Sequence, residues 1–469
     1  ISSAGSLSAI AGGSILNSLP AGVAGVQPVM SAMQNLTLMS NIGSIANSGF
    51  ITSSIGSINI ASAAAQNIAF NNINGTLQAL NGVVNFRDAS FAALANLDID
   101  GGEILAREIN LYTGAGNLTA NLTEVVGTLS TFGGYAHVGA TTDILALGNI
   151  AITGDPTYFN SAGSIAITGN IDVNERLAVI ASGDITSTGG VTLIQARGAN
   201  GQGYEMNFIA GANVSGSGSS SSIATTPPVL SNASGAVTVT GASSTGGDID
   251  FTASPGLKID ASSTCAGCSG ANVTMAAFAA GSEGGRVLLA DPVSNADLGI
   301  EIMTSGNGIG NNGKVMLIAG AQDGVSIASG KITSIGGAGA GTDSGAITMS
   351  TAQPTFSSGA FLSFGTDGSV TSNNSLVPST TIQRASIGIA NDLSASKSIA
   401  LTAGQDIVSA QFISTPVLAL NSVGGDVTVR TAGEINVSAS AGGNLAITAR
   451  DGVVLGSINA GRDLSVYSQ

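Results

Sequence analysis

The sequence GGDVTVRTAGEINVSASAGGNLAITARDGVVLGSINAGRDLSVYS, residues 424–468, repeats one short pattern of alternating apolar residues. The apolar residues stand in pairs with one residue between them: Val427/Val429, Ile435/Val437, Leu445/Ile447, Val453/Leu455 and Leu464/Val466. Alternation with a period of two is typical of β-strands with one buried face. Gly, Asn, Ser and Asp between the pairs favour turns. Every second pair recurs after 18 or 19 residues, which predicts a unit of about 18–20 residues with two strands and two turns.

The same pattern continues towards the N-terminus. The octapeptide GNIAITGD at 148–155 is nearly copied as GSIAITGN at 163–170, and similar pairs reach back to Ile58/Ile60 and Ile68/Phe70. Helical periodicity is not sustained anywhere; the best candidate is a short helix near residues 24–40. The sequence therefore predicts an all-β protein.

Short strands at a fixed short period favour a parallel β-helix, a β-solenoid with loop insertions. The period is too short for a propeller blade of about 40 to 45 residues. The apolar residues are mostly β-branched or of medium size, and aromatics are 4% of the chain, as a narrow stacked core requires. Stability should come from the stacking of each coil on the next.

Two stretches carry a resemblance to a known family. NIGSIANSGFITSSIGSINIASA at 41–63, together with residues 424–468, resembles the repeats of filamentous haemagglutinin. More broadly, the pattern over residues 35–469 resembles β-helical surface proteins that leave the cell by two-partner secretion or as autotransporter passengers. The resemblance implies an extracellular or cell-surface β-helix, although no stretch matches the secretion domain of such proteins.

Composition excludes several classes of protein. With 13 Lys and Arg against 28 Asp and Glu, the net charge is −15, and no basic surface for nucleic acid can form. Every apolar run is broken within a few residues, so no membrane span is expected. A chain that is 43% apolar and 9% charged is also unlike a disordered one.

The first 86 residues contain no Asp, Glu, Lys, Arg or His. One interpretation is that Ser, Asn, Thr and Gly keep this segment hydrated. The other is that another subunit covers its outer face, because the cores of interfaces are depleted in charge. We divide the chain into residues 1–86, a capping or assembly region, and residues 87–469, a solenoid with loop insertions at 214–234 and 336–345.

The ends of the chain lie inside repeat-like sequence, and an uncapped β-helix exposes backbone groups without partners. We therefore expect either an excised fragment or a cap made by another molecule. Head-to-tail capping between copies would build filaments.

Few residues suggest chemistry. The run from Gly308 to Lys314 is close to a phosphate-binding loop, but Val315 replaces the required Ser or Thr, and the following residues have a strand pattern, so we interpret the run as a turn of the β-helix. The single histidine, His137, lacks the context of a catalytic triad and is expected on the surface or in a turn. No cofactor and no metal site is predicted.

Acidic residues occur in two groups, Asp98, Asp100 and Glu103 in one and Asp248 and Asp250 in the other. If Leu97 and Ile99 face the core, Asp98 and Asp100 project outward together. We interpret them as hydrated turn residues. A catalytic pair, as in polysaccharide-degrading β-helices, and adventitious calcium ligands are the alternatives.

Cys265 and Cys268 lie three residues apart in STCAGCSG. A local disulfide in an oxidising compartment is the favoured interpretation, and a free or intermolecular pair is the alternative.

Together these features predict a secreted, non-enzymatic structural protein, a subunit of an extracellular fibre or surface layer. Its partners would be copies of itself, with glycans or cell surfaces as further candidates. Leu464 and Val466 of the last coil, and Ile58 and Ile60 of the N-terminal segment, are the assembly candidates. The alternatives are a monomeric adhesin passenger and a polysaccharide-degrading β-helix.

Overall fold

The fold is a parallel β-helix, and none of the described residues is helical. The structure, a computed structural model, describes residues 1–19, 25–64, 66–88, 90, 92–216, 228, 235–341, 344–365 and 369–468. They form two compact units. Unit 1 consists of Ile1–Gly169, Val214–Thr238 and Ser363–Ser369, and unit 2 of Asn170–Asn213, Val239–Leu362 and Val370–Gln469.

Unit 1 has two parallel sheets, and the strands are numbered in chain order. The first sheet contains β1 (Ser2–Ser3), β2 (Leu7–Ala11), β4 (Val29–Ala32), β5 (Leu36–Ser40), β7 (Phe50–Ser53), β8 (Ile58–Ser62), β10 (Thr76–Asp88), β12 (Glu103–Tyr112), β14 (Glu124–Gly133), β16 (Ile144–Ile152) and β18 (Ser164–Ile167). The second contains β3 (Ile15–Asn17), β6 (Ser44–Asn47), β9 (Ile68–Asn71), β11 (Leu97–Asp100), β13 (Asn117–Leu122), β15 (Tyr135–Ala140) and β17 (Pro156–Asn160).

Unit 2 also has two parallel sheets. The first contains β19 (Ile171–Val173), β21 (Ile185–Ser187), β22 (Leu193–Ala196), β26 (Ile249–Asp250), β27 (Lys258–Asp260), β31 (Val287–Leu288), β32 (Glu301–Met303), β34 (Val325–Ser329), β35 (Lys331–Ser334), β40 (Ser386–Ile389), β41 (Leu393–Ala395), β43 (Ile407–Ser414), β45 (Val427–Thr431), β47 (Leu445–Ala449) and β49 (Leu464–Ser468). The second contains β20 (Leu177–Ala181), β23 (Met206–Ala210), β28 (Val273–Ala277), β33 (Val315–Ala319), β36 (Ala346–Ser350), β42 (Ser398–Ala403), β44 (Val417–Ser422), β46 (Ile435–Ala441) and β48 (Val453–Ala460).

The remaining strands lie outside these sheets. Two antiparallel pairs belong to unit 2: β29 (Ala279–Ala280) with β30 (Glu283–Gly284), and β37 (Ala352–Phe356) with β39 (Leu376–Ile382). Three strands contain the points at which the chain divides into units: β24 (Ala212–Ser215), β25 (Val237–Ala242) and β38 (Leu362–Phe364).

The alternating apolar residues form the core, as the sequence predicts. Val427 pairs with Leu445, and Val429 with Ile447, so that like side chains stack from one coil to the next. All four are buried. This stacking of buried apolar rungs is the physical basis of the fold, because a single coil cannot enclose a core alone.

The predicted coil length holds only in part. Leu445 pairs with Leu464, 19 residues further on, but Val273 pairs with Val315, 42 residues further on. The extra residues of that longer coil include the hairpin β29–β30. A strand pattern fixes which residues stack and leaves the length of the connecting segment free.

Two further expectations meet the structure differently. The prediction of a short helix near residues 24–40 is wrong, because residues 25–40 contain strands β4 and β5. Met30 of β4 and Leu36 of β5 are buried in the core. The boundary at residue 86 falls inside strand β10, so the uncharged segment runs into the following coils without a break.

The predicted insertion at 214–234 lies mostly outside the described residues; of it, only residues 214–216 and 228 are described. In the insertion at 336–345, the described residues contain no strand and link β35 to β36.

Candidate functional site

The outer face of the second sheet of unit 1 carries the acidic residues that the sequence singled out. Leu97 and Ile99 of β11 point into the core, so Asp98 and Asp100 belong to the opposite face. The expectation that both are hydrated turn residues is wrong, because both lie in a strand and both are buried.

Asp98 belongs to a column of residues that are in register from coil to coil. Reading along the sheet, the column is Ser44, Ala69, Asp98, Thr119, His137 and Thr157. All six are buried. The Thr119 hydroxyl donates to Oδ1 of Asp98 over 2.7 Å. His137, expected on the surface or in a turn, is thus a buried residue of β15, with its ring centroid 5.6 Å from that of Phe159.

Two distant parts of unit 1 lie against the ends of this column. The Ser44 hydroxyl donates to the carbonyl oxygen of Pro228 over 2.7 Å, and the Thr157 hydroxyl donates to that of Gly365 over 3.3 Å. These contacts join residues about 200 positions apart in the sequence, which is why the strand pattern alone indicated a hydrated face. The column is an internal polar layer of unit 1.

The neighbouring column, which contains Asp100, opens into a cleft. Asp100 is in register with Asn71 and Asn121, and its Oδ1 accepts a hydrogen bond of 3.3 Å from the Asn121 amide. Three residues further on, Oε2 of Glu103 accepts a hydrogen bond of 2.9 Å from Thr76. Both carboxylates line a cleft of about 590 Å3.

The turn between the two carboxylates explains the shape of the cleft. Gly101 and Gly102 have φ angles of 71° and 73°, a region that favours glycine. A Cβ atom at Gly102 would stand 2.0 Å from the carbonyl oxygen of Asn72 in the preceding coil. Backbone therefore packs directly on backbone here, and the side chains of Phe50 and Ile73 complete the lining.

The second acidic group, in unit 2, is part of a ladder of turns. The backbone N–H of Asp248 donates to Oδ1 of Asp184 over 2.8 Å, and Oδ1 of Asp248 accepts from the N–H of Arg286 over 2.8 Å. Burial raises the pKa of Asp248, and the hydrogen bond and charge of Arg286 oppose this. Asp250 accepts from the N–H and hydroxyl of Thr252, as in an Asx turn.

The remaining candidates occupy structural positions. Cys265 and Cys268 are bonded to each other, with their Cα atoms 5.4 Å apart. The run from Gly308 to Lys314 is followed by strand β33, and Gly308 adopts a φ of 60°. Among the described residues, no group of three or more His, Cys, Asp and Glu side chains is arranged to hold a metal ion.

The assembly candidates divide into two kinds. Ile58 and Ile60 are fully buried in β8 and have in-register partners on both sides, so they cannot form a contact surface. Leu464 and Val466 of β49 are partly exposed. β49 pairs with β47 along one edge, and no pairing of its other edge occurs within the described part of the chain.

The surface of residues 1–86 carries a feature that the absence of charge did not predict. Of the 27 large apolar residues exposed in the described structure, 12 lie in this segment. Three of them, Met33, Ile55 and Leu80, are 51%, 58% and 53% exposed and follow one another at the same corner of consecutive coils. We call these three residues the apolar ridge.

Register places the three residues of the apolar ridge at one corner of consecutive coils, with Ile55 one residue beyond the position that aligns with Met33 and Leu80. Met33 follows β4 and Ile55 follows β7, two paired strands, and the N–H of Ile55 donates to the carbonyl of Met33 over 3.0 Å. Leu80 lies in β10, which pairs with β7. Ala79 pairs with Ala106 of the next coil, so Arg107 is the residue of that coil that corresponds to Leu80. The ridge thus ends where charged residues begin.

Comparisons with models of known protein families, with curated proteins and with solved structures gave no match to this chain. The resemblance to filamentous haemagglutinin therefore stays a prediction. The described residues also contain no helix that could cross a membrane.

Proposed function

We propose that this chain is a secreted, non-enzymatic structural protein that associates with copies of itself into an extracellular fibre or surface layer. The observation that carries the proposal is the apolar ridge on an uncharged segment. Soluble surfaces ordinarily mix charges of both signs and avoid contiguous apolar patches. Residues 1–86 contain no charged residue and expose apolar side chains, so this segment is suited to contact with another protein surface.

Electrostatics favour a second copy as the partner. The chain has a net charge of −15, and all of its Asp, Glu, Lys and Arg residues lie after residue 86. Two copies repel each other over most of their surfaces, because like charges oppose close approach. Residues 1–86 are the part of the surface where this repulsion is weakest, and the apolar ridge supplies area to bury.

The free edge of β49 offers a second contact. A further coil, from downstream sequence or from another copy, can pair there and cover Leu464 and Val466. A charged residue at either position should therefore weaken end-to-end growth. The apolar ridge and this edge would then be two separate contact surfaces.

Sedimentation velocity of the purified chain tests the proposal. The wild type should form oligomers at physiological salt, and their fraction should rise with protein concentration. Ile55→Glu and Leu80→Glu should each shift the distribution towards monomer. Ile144→Glu is the matched control, since Ile144 is an exposed apolar residue of unit 1 outside the segment. A wild type that stays monomeric at high concentration would overturn the proposal in favour of a monomeric adhesin. A control that disrupts assembly as much as the ridge variants would overturn the role of the ridge.

A further inference from the structure

We infer that the cleft lined by Asp100 and Glu103 is a binding site for a neutral oligosaccharide. We call it the Asp100 cleft, and its lining also includes Phe50, Ile73, Thr76, Gly101 and Asn121. Its volume, about 590 Å3, falls within the range of about 300–1,000 Å3 found for small-molecule sites. The inference does not depend on self-association, because the ridge residues do not line the cleft.

The lining combines the two kinds of surface that a sugar needs. Phe50 is 39% exposed and Ile73 is partly exposed, so an apolar floor faces the solvent. The C–H face of a pyranose ring can stack on such a ring, whose π face is electron-rich. Around this floor stand side chains rich in acceptors, and sugar hydroxyls can donate to them.

The polar groups are held in place before any ligand arrives. Asp100 is buried and bound to the Asn121 amide, and Glu103 is fixed by the Thr76 hydroxyl. The backbone N–H of Gly101 donates to the carbonyl of Asn121 over 2.7 Å, which fixes the turn between the two acids. Each ionised carboxylate retains acceptor capacity for ligand hydroxyls, because it can accept about four hydrogen bonds. A preformed site loses less side-chain entropy on binding.

Charge selects the class of sugar. Among the described residues, two carboxylates and no Lys, Arg or His line the cleft. An anionic sugar, such as a uronic acid or a sulfated sugar, would meet two like charges without a counter-charge. The ligand class is therefore an uncharged polyhydroxylated chain.

The experiment uses saturation-transfer NMR and isothermal titration calorimetry on the full chain. The probes are cellohexaose, maltohexaose and chitohexaose as neutral sugars and trigalacturonic acid as the anionic one. We expect at least one neutral probe to bind and the anionic probe not to bind. Phe50→Ala and Glu103→Gln should each weaken that binding at least tenfold.

Matched controls separate the cleft from the rest of the surface. Ile144→Ala removes an exposed apolar side chain, and Glu108→Gln removes an exposed carboxylate, and neither residue lines the cleft or belongs to the apolar ridge. Both should bind the sugar as the wild type does. Absence of binding by all three neutral probes, or unchanged binding in Phe50→Ala, would overturn the inference. A titration with CaCl2 alone is the last arm, and saturable Ca2+ binding that Glu103→Gln abolishes, without sugar binding, would also overturn it.

Discussion

Asn47 donates its side-chain amide to the side-chain oxygen of Asn72, one coil further on, over 2.7 Å. Asn17 of the preceding coil donates to Asn47 in the same way, also over 2.7 Å. All three side chains are buried. An asparagine can both donate and accept, so a stack of them satisfies each member through its neighbours. The ladder holds one corner of consecutive coils in register.

Replacing Asn47 should therefore be costly. Asn47→Ala leaves the buried amide of Asn17 and the buried oxygen of Asn72 each without this partner, and an unsatisfied buried polar group costs about 1–3 kcal/mol. We expect the free energy of unfolding of the coils around residue 47 to fall by about 2–4 kcal/mol. Native-state hydrogen exchange resolved by mass spectrometry would measure this locally.

A second ladder of asparagine side chains, which lies closer to the solvent and which we call the outer ladder, provides the control; it consists of Asn59, Asn85 and Asn110. Asn85 donates to Asn59 over 3.1 Å and accepts from Asn110 over 3.2 Å, but these side chains are only partly buried. Water can replace the lost partner there, so Asn85→Ala should cost less than about 1 kcal/mol. Equal losses in the two variants would contradict the idea that burial makes the inner ladder important.

Two aspartates of unit 2 should give opposite pH dependences of stability. Burial raises the pKa of Asp248 in the folded protein, so ionising this carboxyl opposes folding. The neutral carboxyl therefore stabilises the fold at pH values below its pKa in the unfolded chain. This stabilisation is lost as the pH rises through the higher pKa of the same carboxyl in the folded protein. Asp248→Asn removes the ionisation and keeps an oxygen that can accept from the N–H of Arg286. The free energy of unfolding of this variant, relative to that of the wild type, should therefore rise as the pH is raised from about 3 to about 7.

Asp291 should behave in the opposite sense. The N–H groups of Val293 and Ser294 donate to its carboxylate and lower its pKa. That contribution is present above the unfolded pKa and is lost as the pH falls through the folded pKa. Asp291→Asn should therefore lose stability relative to wild type as the pH rises over the same range. Urea unfolding at a series of pH values measures the free energy of unfolding of the wild type and of both variants. If the two variants changed in the same direction relative to wild type as the pH rises, the assignment would be contradicted.

The strand pattern was sufficient for the fold because a buried strand face imposes a period of two on the sequence. Ile399 and Leu401, spaced in that way, are both buried in β42. The same reasoning could not find the buried state of Asp98 and His137. Their faces are outer by parity, yet both side chains are buried, and two other members of their column, Ser44 and Thr157, contact Pro228 and Gly365. Contacts between residues so far apart follow from tertiary structure and leave no periodic signal.

The candidate cleft shows the same limit. Asp100 and Glu103 are close in sequence, so the sequence alone indicates them as one group. Phe50 and Ile73, which form the apolar floor, come from earlier coils and carry no motif. Stacking of coils brings them to the carboxylates, and this depends on coil lengths of 25 residues or more that the regular pattern did not predict: Ile45 pairs with Phe70, and Ile68 with Leu97.

The Cys265–Cys268 disulfide links the structure to the proposed extracellular location. It closes a turn that is also held by hydrogen bonds from the hydroxyl of Ser263 and the N–H of Asn307 to the carbonyl of Cys268, both of 2.9 Å. Protein secreted through an oxidising compartment should show no thiol that reacts with iodoacetamide in denaturant, and two after reduction, by intact-mass spectrometry. Because the closed loop is short, Cys265→Ser/Cys268→Ser should lose only about 2 kcal/mol of stability. Added reductant should destabilise the wild type by a similar amount and leave the double variant unchanged. Reactive thiols in the secreted protein, or a disulfide-linked dimer on a non-reducing gel, would contradict the local bond and favour a free or intermolecular pair.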